Sequence, residues 1–389
     1  MPFAVYMLGL AVFTQGTSEF MLSGLVADIA RDLHVSIPAA GLLTSAFAVG
    51  MVVGAPLMAV LGLRWSRRRS LTGFLVTFIA VHVVGALTPG YEVLLCTRVV
   101  GALANAGFWA TALATANALV EPGLKARATS TVVGGVTLSC VVGVPAGALL
   151  GQCWGWRAAF WAVAVLSVPA VFAILRAIPG GGPSPSAEMS ARRELRVLRN
   201  PRVLVVLLLG ALVNGATFCT FTYLTPLLTG VTGFGEGWLP ALLVLFGVGS
   251  FVGVAAGGRI ADARPVALLW TGSAALGAGW VVFALTAGIP VLAVVFVLVQ
   301  GILSFGVGST LVARVFSVAT GAPTLAGGLA TAAFNVGATA GPWLGGLAIG
   351  AGGGFRSPVW VSAALVALAF AVFALSRVTV ARHAETRPR

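Results

Sequence analysis

Charge is what this chain has least of. Ten acids and 23 bases among 389 residues amount to 8%, against about 25% in an average soluble domain. Apolar residues make up 59%, and the mean hydropathy is +1.03. A soluble chain of this length keeps about a quarter of its surface in water and must coat it with polar groups. These few charges cannot do so, which excludes a soluble enzyme, a disordered chain and a coiled coil. Other scarcities narrow the field. There is no Walker loop, so ATP is not the energy source. The four cysteines (Cys96, Cys140, Cys153 and Cys219) have no metal-ligand spacing and read as small apolar residues. No nucleophile is paired with a base, so neither enzyme chemistry nor a cofactor or metal is expected. The alternating segments of about ten residues that build a membrane barrel are missing too. What remains is a bundle of helices in lipid, where each helix satisfies its own backbone.

The apolar runs are about 20 residues long, enough to cross a hydrocarbon core of about 30 Å. They place spans at 3–24, 39–62, 71–88, 92–119, 128–150, 157–178, 203–228, 238–258, 266–287, 290–313, 324–350 and 358–377, twelve in all. With the N-terminus inside, 19 of the 23 bases fall on the inner side. Arg31, Arg157 and Arg356 fall outside, and Arg98 lies within a span. That split follows the positive-inside rule and predicts both termini cytoplasmic. The basic surface then faces anionic lipid rather than nucleic acid.

The stretch 179–202, with Pro179, Gly180, Gly181, Gly182, Pro183 and five arginines, reads as a linker between an N-terminal bundle (1–178) and a C-terminal one (203–389). The halves match at an offset of 199: Gly16 with Gly215, Gly54 with Gly253, Arg157 with Arg356, and Trp161 with Trp360. The predicted fold is therefore an all-α membrane protein of twelve helices in two pseudo-symmetric six-helix bundles. Parallel six-span repeats with a midplane site between them are the plan of major facilitator transporters.

Small residues recur every four positions on span 2 (Ala46, Gly50, Gly54), span 5 (Gly135, Ser139, Gly143, Gly147, Gly151), span 8 (Gly249, Gly253, Gly257) and span 11 (Gly337, Gly341, Gly345). This puts them on one face of each helix and lets backbones approach closely. Generic packing explains any one stripe. Their recurrence on repeat-equivalent spans suggests surfaces on which one half rocks against the other. Pro145 and Pro342 should bend the helices that carry them.

Glu19 is the only acid well inside a span. An ionised group there costs roughly 2.5–3.5 kcal/mol on insertion scales, and binding a proton relieves that cost. A group that alternates between the two forms is what a proton-coupled carrier needs. Arg98 lies at similar depth and could pair with Glu19, or with Asp28 nearer the surface; a static ion pair locking spans 1 and 4 is the bland alternative. Gln15, Asn105, Trp109, Asn214, Phe218, Phe221 and Asn335 mix polar atoms with aromatics, as a pocket for a neutral or amphipathic ligand would. His82 in span 3 reads first as a buried imidazole and secondly as a proton carrier.

Four segments resemble the drug:proton antiporter branch of the major facilitator superfamily, the chloramphenicol-resistance exporters most of all. Span 1 carries Thr17-Ser-Glu19-Phe20-Met21 and then Gly24 to Asp28. The loop with Arg64, Arg67, Arg68 and Arg69 is similar to the superfamily's cytoplasmic loop signature, with Leu63 and Ser66 where Asp and Gly are usual; the matching loop in the second half keeps its acid as Asp262. Leu94-xxx-Arg98 resembles an intramembrane arginine motif implicated in proton transfer. Gly143, Pro145, Gly147 and Gly151, trailed by Trp156-Arg157, look like the antiporter motif. The resemblance implies alternating-access export of a small drug in exchange for protons by an inner-membrane protein, expected as a monomer, with the drug, protons and lipid as its partners. An exporter of sugars or other metabolites is the alternative within transport, and a membrane enzyme or a non-transporting receptor is the alternative outside it.

Overall fold

The computed structural model describes residues 2–62, 65–121, 124–178, 200–263, 265–319 and 323–385. Among them the chain is helical throughout, with no strand. The helices are α1 (Phe3–Phe20), α2 (Leu22–Asp32), α3 (Ile37–Gly62), α4 (Arg67–Leu87), α5 (Tyr91–Ala118), α6 (Lys125–Leu138), α7 (Val144–Trp154) and α8 (Trp156–Ala177) in the first half. The second half has α9 (Pro201–Thr222), α10 (Leu224–Gly230), α11 (Leu239–Ala263), α12 (Pro265–Thr286), α13 (Pro290–Val318), α14 (Pro323–Ala348) and α15 (Ser357–Glu385). Ten of the described helical segments are long and apolar enough to cross a membrane. The other two expected spans, the first and the eleventh, are also helical but more polar or broken. The linker 179–199, Arg64 and Arg264 lie outside the described residues.

Local chemistry sets the helix ends. Ser66 Oγ accepts from Arg69 N at 3.4 Å to cap α4, and Asn200 Oδ1 accepts from Arg202 N at 3.0 Å to cap α9. Pro201 and Pro290 stand where a helix has no use for an N–H. Gly155 joins α7 to α8 at φ +81°, a conformation that needs glycine.

Spans 1 and 7 were expected to be continuous, and the structure interrupts both. Span 1 breaks at Met21, after Thr14 and Thr17 turn their hydroxyls onto the carbonyls of Ala11 and Phe13. Such back-bonding bends helices. Span 7 breaks at Tyr223, before Pro226, which has no N–H for the preceding turn. Span 5 carries a π turn, Ser139–Gly143, just before Pro145. Span 11 passes Pro342 as helix and enters a π turn only at Ile349–Gly353.

The glycine stripes do not form the surface between the halves. The span 5 stripe packs on span 1: a Cβ on Gly135 would meet Gly9 and Phe13, and one on Gly147 would meet Met21. Gly337 and Gly341 of span 11 face the backbone of Ala211 and Gly215 in span 7. Gly50 and Gly54 of span 2 face Val99 to Ala106 of span 4, and Gly249, Gly253 and Gly257 of span 8 face Leu298 to Gly306 of span 10. The pairs 1–5 and 2–4 thus reappear as 7–11 and 8–10, the internal repeat expressed in backbone contact. The stripes thus serve close packing within each half, and the expectation of sliding faces between the halves fails.

One apolar core gathers Val5 through Ile178 and the other Val203 through Ala369, with Val144 and Ala148 of α7 built into the second. Call the face nearest residue 3 proximal and the opposite face distal. Among the described residues, the hydrogen bonds that cross between halves all come from the distal part. Ser45 Oγ donates to Thr339 O at 2.8 Å, Thr225 Oγ1 to Ser23 O at 2.7 Å, Gln152 Nε2 to Glu236 O at 2.5 Å, and Arg31 Nη2 to Glu236 Oε1 at 3.4 Å. Gly247 of α11 lies against Cys140 and Val141 in the π turn of span 5.

Candidate functional site

The site grows from one turn of α1. Ser18 is fully buried and meets two helices. Arg98 of α5, 2% exposed, donates through Nη1 to Ser18 Oγ at 2.7 Å and through Nη2 to Ser18 O at 2.8 Å. Its guanidinium also stands over the Phe47 ring, 4.4 Å from the centroid, so the buried charge is held by hydrogen bonds and a π face. His82 of α4 completes the chain, with Nε2 2.6 Å from Ser18 Oγ and Nδ1 2.7 Å from Phe78 O. A carbonyl can only accept, so these partners assign the proton to Nδ1. Nε2 is then the acceptor, and Ser18 donates to it while accepting from Arg98. The ring packs on Phe78 and Phe160 at 4.1 and 5.7 Å.

Glu19 is the next residue. It is half-buried, with Arg98 as its charged neighbour, yet no ion pair joins the two among the described residues. Neither pairing expected for Arg98 forms. Asp28 pairs with Arg31 at 3.4 Å at the distal surface, and Arg31 also reaches Glu236. Ser18 takes the arginine because it offers two acceptors on a rigid helix turn.

One turn below Glu19, Gln15 is fully buried and neither amide atom has a partner among the described residues. Asn105 Nδ2 lies 3.4 Å from Met51 Sδ, and its Oδ1 has no partner among the described residues. Trp109 packs into the first core. In the other half, Asn214 Nδ2 donates to Phe334 O at 2.7 Å, which ties span 7 to span 11, and Asn335 Nδ2 donates to Thr331 O of its own helix at 2.9 Å. Phe218 and Phe221 do come together with Glu19's neighbour: Phe20 lies 5.8 Å from Phe218, which lies 6.3 Å from Phe221. Phe221 stacks on Phe246 at 4.6 Å. Phe20, Cys140, Thr217, Phe218, Phe221, Phe246 and Phe305 enclose a small apolar void between the halves.

Gly143, Gly147 and Gly151 face Thr17, Met21 and Leu25, so the stretch that resembles the antiporter motif seats span 5 along span 1, on both sides of its break. Pro145 is buried at the start of α7. The trailing Trp156 and Arg157 both donate to Asp32, Trp156 Nε1 at 3.0 Å, and Arg157 Nη2 reaches Thr88 O at 3.1 Å. These donors hold the Asp32 carboxyl below its ordinary 3.8. Arg67 and Arg69 are exposed and Arg68 is half-buried at the start of α4. Asp262 lies in α11, and its side chain is outside the described set.

Sequence reasoning missed Ser18 and undervalued His82. A histidine within a span must find a partner, and that was the available signal; nothing marks a serine in a helix as the hub between two others.

Comparison with known proteins agrees with this architecture. The family model described as Major Facilitator Superfamily matches residues 8–327. A chloramphenicol resistance protein of Streptomyces lividans is 52% identical over 374 residues, 96% of this chain and 95% of that protein. The inner membrane transport protein YdhP of Escherichia coli is 39% identical over 66% of this chain and 65% of its own length. A crystal structure of a bacterial homologue of the human lysosomal transporter Spinster, inward-facing and unoccupied, superposes with a TM-score of 0.75 at 18% identity, covering 96% of this chain and 97% of that one. With two six-helix halves, the repeat written in their glycine contacts and a family match that runs through both, this chain belongs to the major facilitator superfamily.

Proposed function

We propose that the chain exports a small neutral or amphipathic drug, chloramphenicol or a molecule like it, in exchange for protons. Residues 1–178 and 203–389 are the two moving bodies, 179–202 links them on the cytoplasmic side, and both termini are cytoplasmic in the cell membrane, as the distribution of bases supports. The observation that carries the reading is the half-buried Glu19 carboxyl, beside a buried arginine that is committed to Ser18. Such a carboxyl is free to take up and release a proton. The aromatic cluster of Phe20, Phe218, Phe221 and Phe246 gives an apolar ligand its surface, and the 52% identity to a chloramphenicol resistance protein supports the choice of drug.

One proton moving inward across 100 mV releases about 2.3 kcal/mol, which supports roughly a fifty-fold drug gradient. The test is chloramphenicol accumulation in everted vesicles on imposing an acid interior. The wild type should accumulate the drug and Glu19→Gln should fall to background. Wild-type vesicles no better than empty ones would refute drug export, and full activity in Glu19→Gln would remove Glu19 from the mechanism.

A further inference from the structure

We propose that His82 is a positioning residue for the proton site: through Ser18 it holds Arg98 off the Glu19 carboxyl. The inference rests on the reading of Glu19 as the group that exchanges protons. With its proton fixed on Nδ1 by Phe78 O, the ring offers Nε2 as an acceptor 2.6 Å from Ser18 Oγ. Ser18 commits its hydroxyl hydrogen there, which turns its lone pairs toward Arg98 Nη1 at 2.7 Å. Without that acceptor, a serine in a helix bonds back to its own preceding turn. Arg98 then loses one of its two bonds to Ser18, and Glu19, its acidic neighbour, becomes the better partner. The charged and titratable groups that face these two are Arg98 from α5, beside both, and Cys140 from the π turn, beside Glu19, while Phe160 of α8 packs on the His82 ring.

The acceptor role and a packing role predict opposite results. Phenylalanine keeps the ring stacked between Phe78 and Phe160 but has no acceptor. Glutamine loses the ring but places its Oε1 near the position of Nε2. The experiment is an infrared titration of the full chain in nanodiscs, with the protonated-carboxyl band of Glu19 identified by its loss in Glu19→Gln. This readout needs no drug, so it stands even if chloramphenicol transport fails. His82→Phe should lower the pH midpoint of the band by about one unit or more, the effect of an opposite charge brought within about 4–6 Å. His82→Gln should return it to the wild-type value. Ser18→Ala removes the intermediary without touching the rings and should match His82→Phe, and it decides the matter if His82→Phe does not fold. An unchanged midpoint in Ser18→Ala or His82→Phe, or a His82→Gln as displaced as His82→Phe, overturns the proposal. A wild type without the Glu19 band at any pH also overturns it, because the carboxyl would already be paired.

Discussion

Three alanines separate the contacts that bind each half together from those that join the halves. Gly134 and Gly135 are neighbours on α6, so alanine brings both the same gain in helix propensity, about 0.5–1 kcal/mol. A Cβ on Gly134 meets nothing within 4 Å. One on Gly135 would lie 2.5 Å from Gly9 O and 2.9 Å from Phe13 N, both backbone atoms of α1 that cannot turn aside. Overpacking of that kind costs about 1–3 kcal/mol, so Gly135→Ala should be less stable than Gly134→Ala by about that amount. Gly247 is as tightly placed, 2.5 Å from Cys140 O and 2.8 Å from Val141 Cα, but its neighbours belong to the other half. Here the strain can be relieved by parting the halves. Gly247→Ala should therefore keep the stability of the wild type and shift the conformational ratio about 5–150-fold away from the distally closed state. Thermal unfolding in detergent reads the first comparison. Distances between spin labels at Gln152→Cys and Glu236→Cys, in a chain with its four other cysteines replaced, read the second. Equal stability of Gly134→Ala and Gly135→Ala would refute the account of the stripes. A Gly247→Ala that unfolds early without widening the distal gap would refute the seam.

Two further outcomes follow from the site. Asp32 titrates below its ordinary value because Arg157 and Trp156 donate to it; a depressed carboxyl contributes stability that is complete above its unfolded value, near 3.8, and lost as pH falls through the folded one. The melting temperature should accordingly show no Asp32 contribution to any change from pH 5 to 8, and the gap between wild type and Asp32→Asn should close only in strong acid. Gln15 is buried with both amide atoms unpaired among the described residues, so Gln15→Leu should raise stability by about 1–3 kcal/mol while lowering drug accumulation in vesicles; a loss of both would make Gln15 a packing residue.

Composition and spacing carried the fold a long way, because lipid leaves the backbone few options. Span lengths and the offset of 199 were legible. The glycine stripes were legible as faces, but a face does not name its partner. A four-residue repeat says that some backbone comes close, and only packing shows that span 5 meets span 1 as span 11 meets span 7. The breaks at Met21 and Tyr223 escaped notice because hydropathy averages over them, although Thr14, Thr17 and Pro226 were there to be read. For the polar site, depth along a helix put Arg98 and Glu19 at one level. Depth contains no azimuth, and a rotation of about 100° per residue separates a pairing with Glu19 from one with Ser18.

The division of chemistry between the halves bears on how the proposed exchange of drug for protons would be coupled. Gln15, Ser18, Glu19, His82, Arg98 and Asn105 all belong to the first half, and the aromatic surface is supplied chiefly by Phe218, Phe221, Phe246 and Phe305 of the second. At the repeat offset Glu19 answers to Phe218, so the internal symmetry that built the scaffold has been broken at the one level where it would have duplicated the charge. Phe20 reaches across to Phe218, one residue from the carboxyl. A neutral ligand seated on those rings would also lie against Cys140, which neighbours Glu19, and would displace water near the carboxyl, which favours the protonated form of any carboxyl. An ionised Glu19 would in turn hold water in the void and oppose an apolar occupant. The proposed coupling would then require no long-range signal between separate sites. It would be a local competition over whether the space near one carboxyl is wet, set at the junction of two halves whose own helices are fastened backbone to backbone.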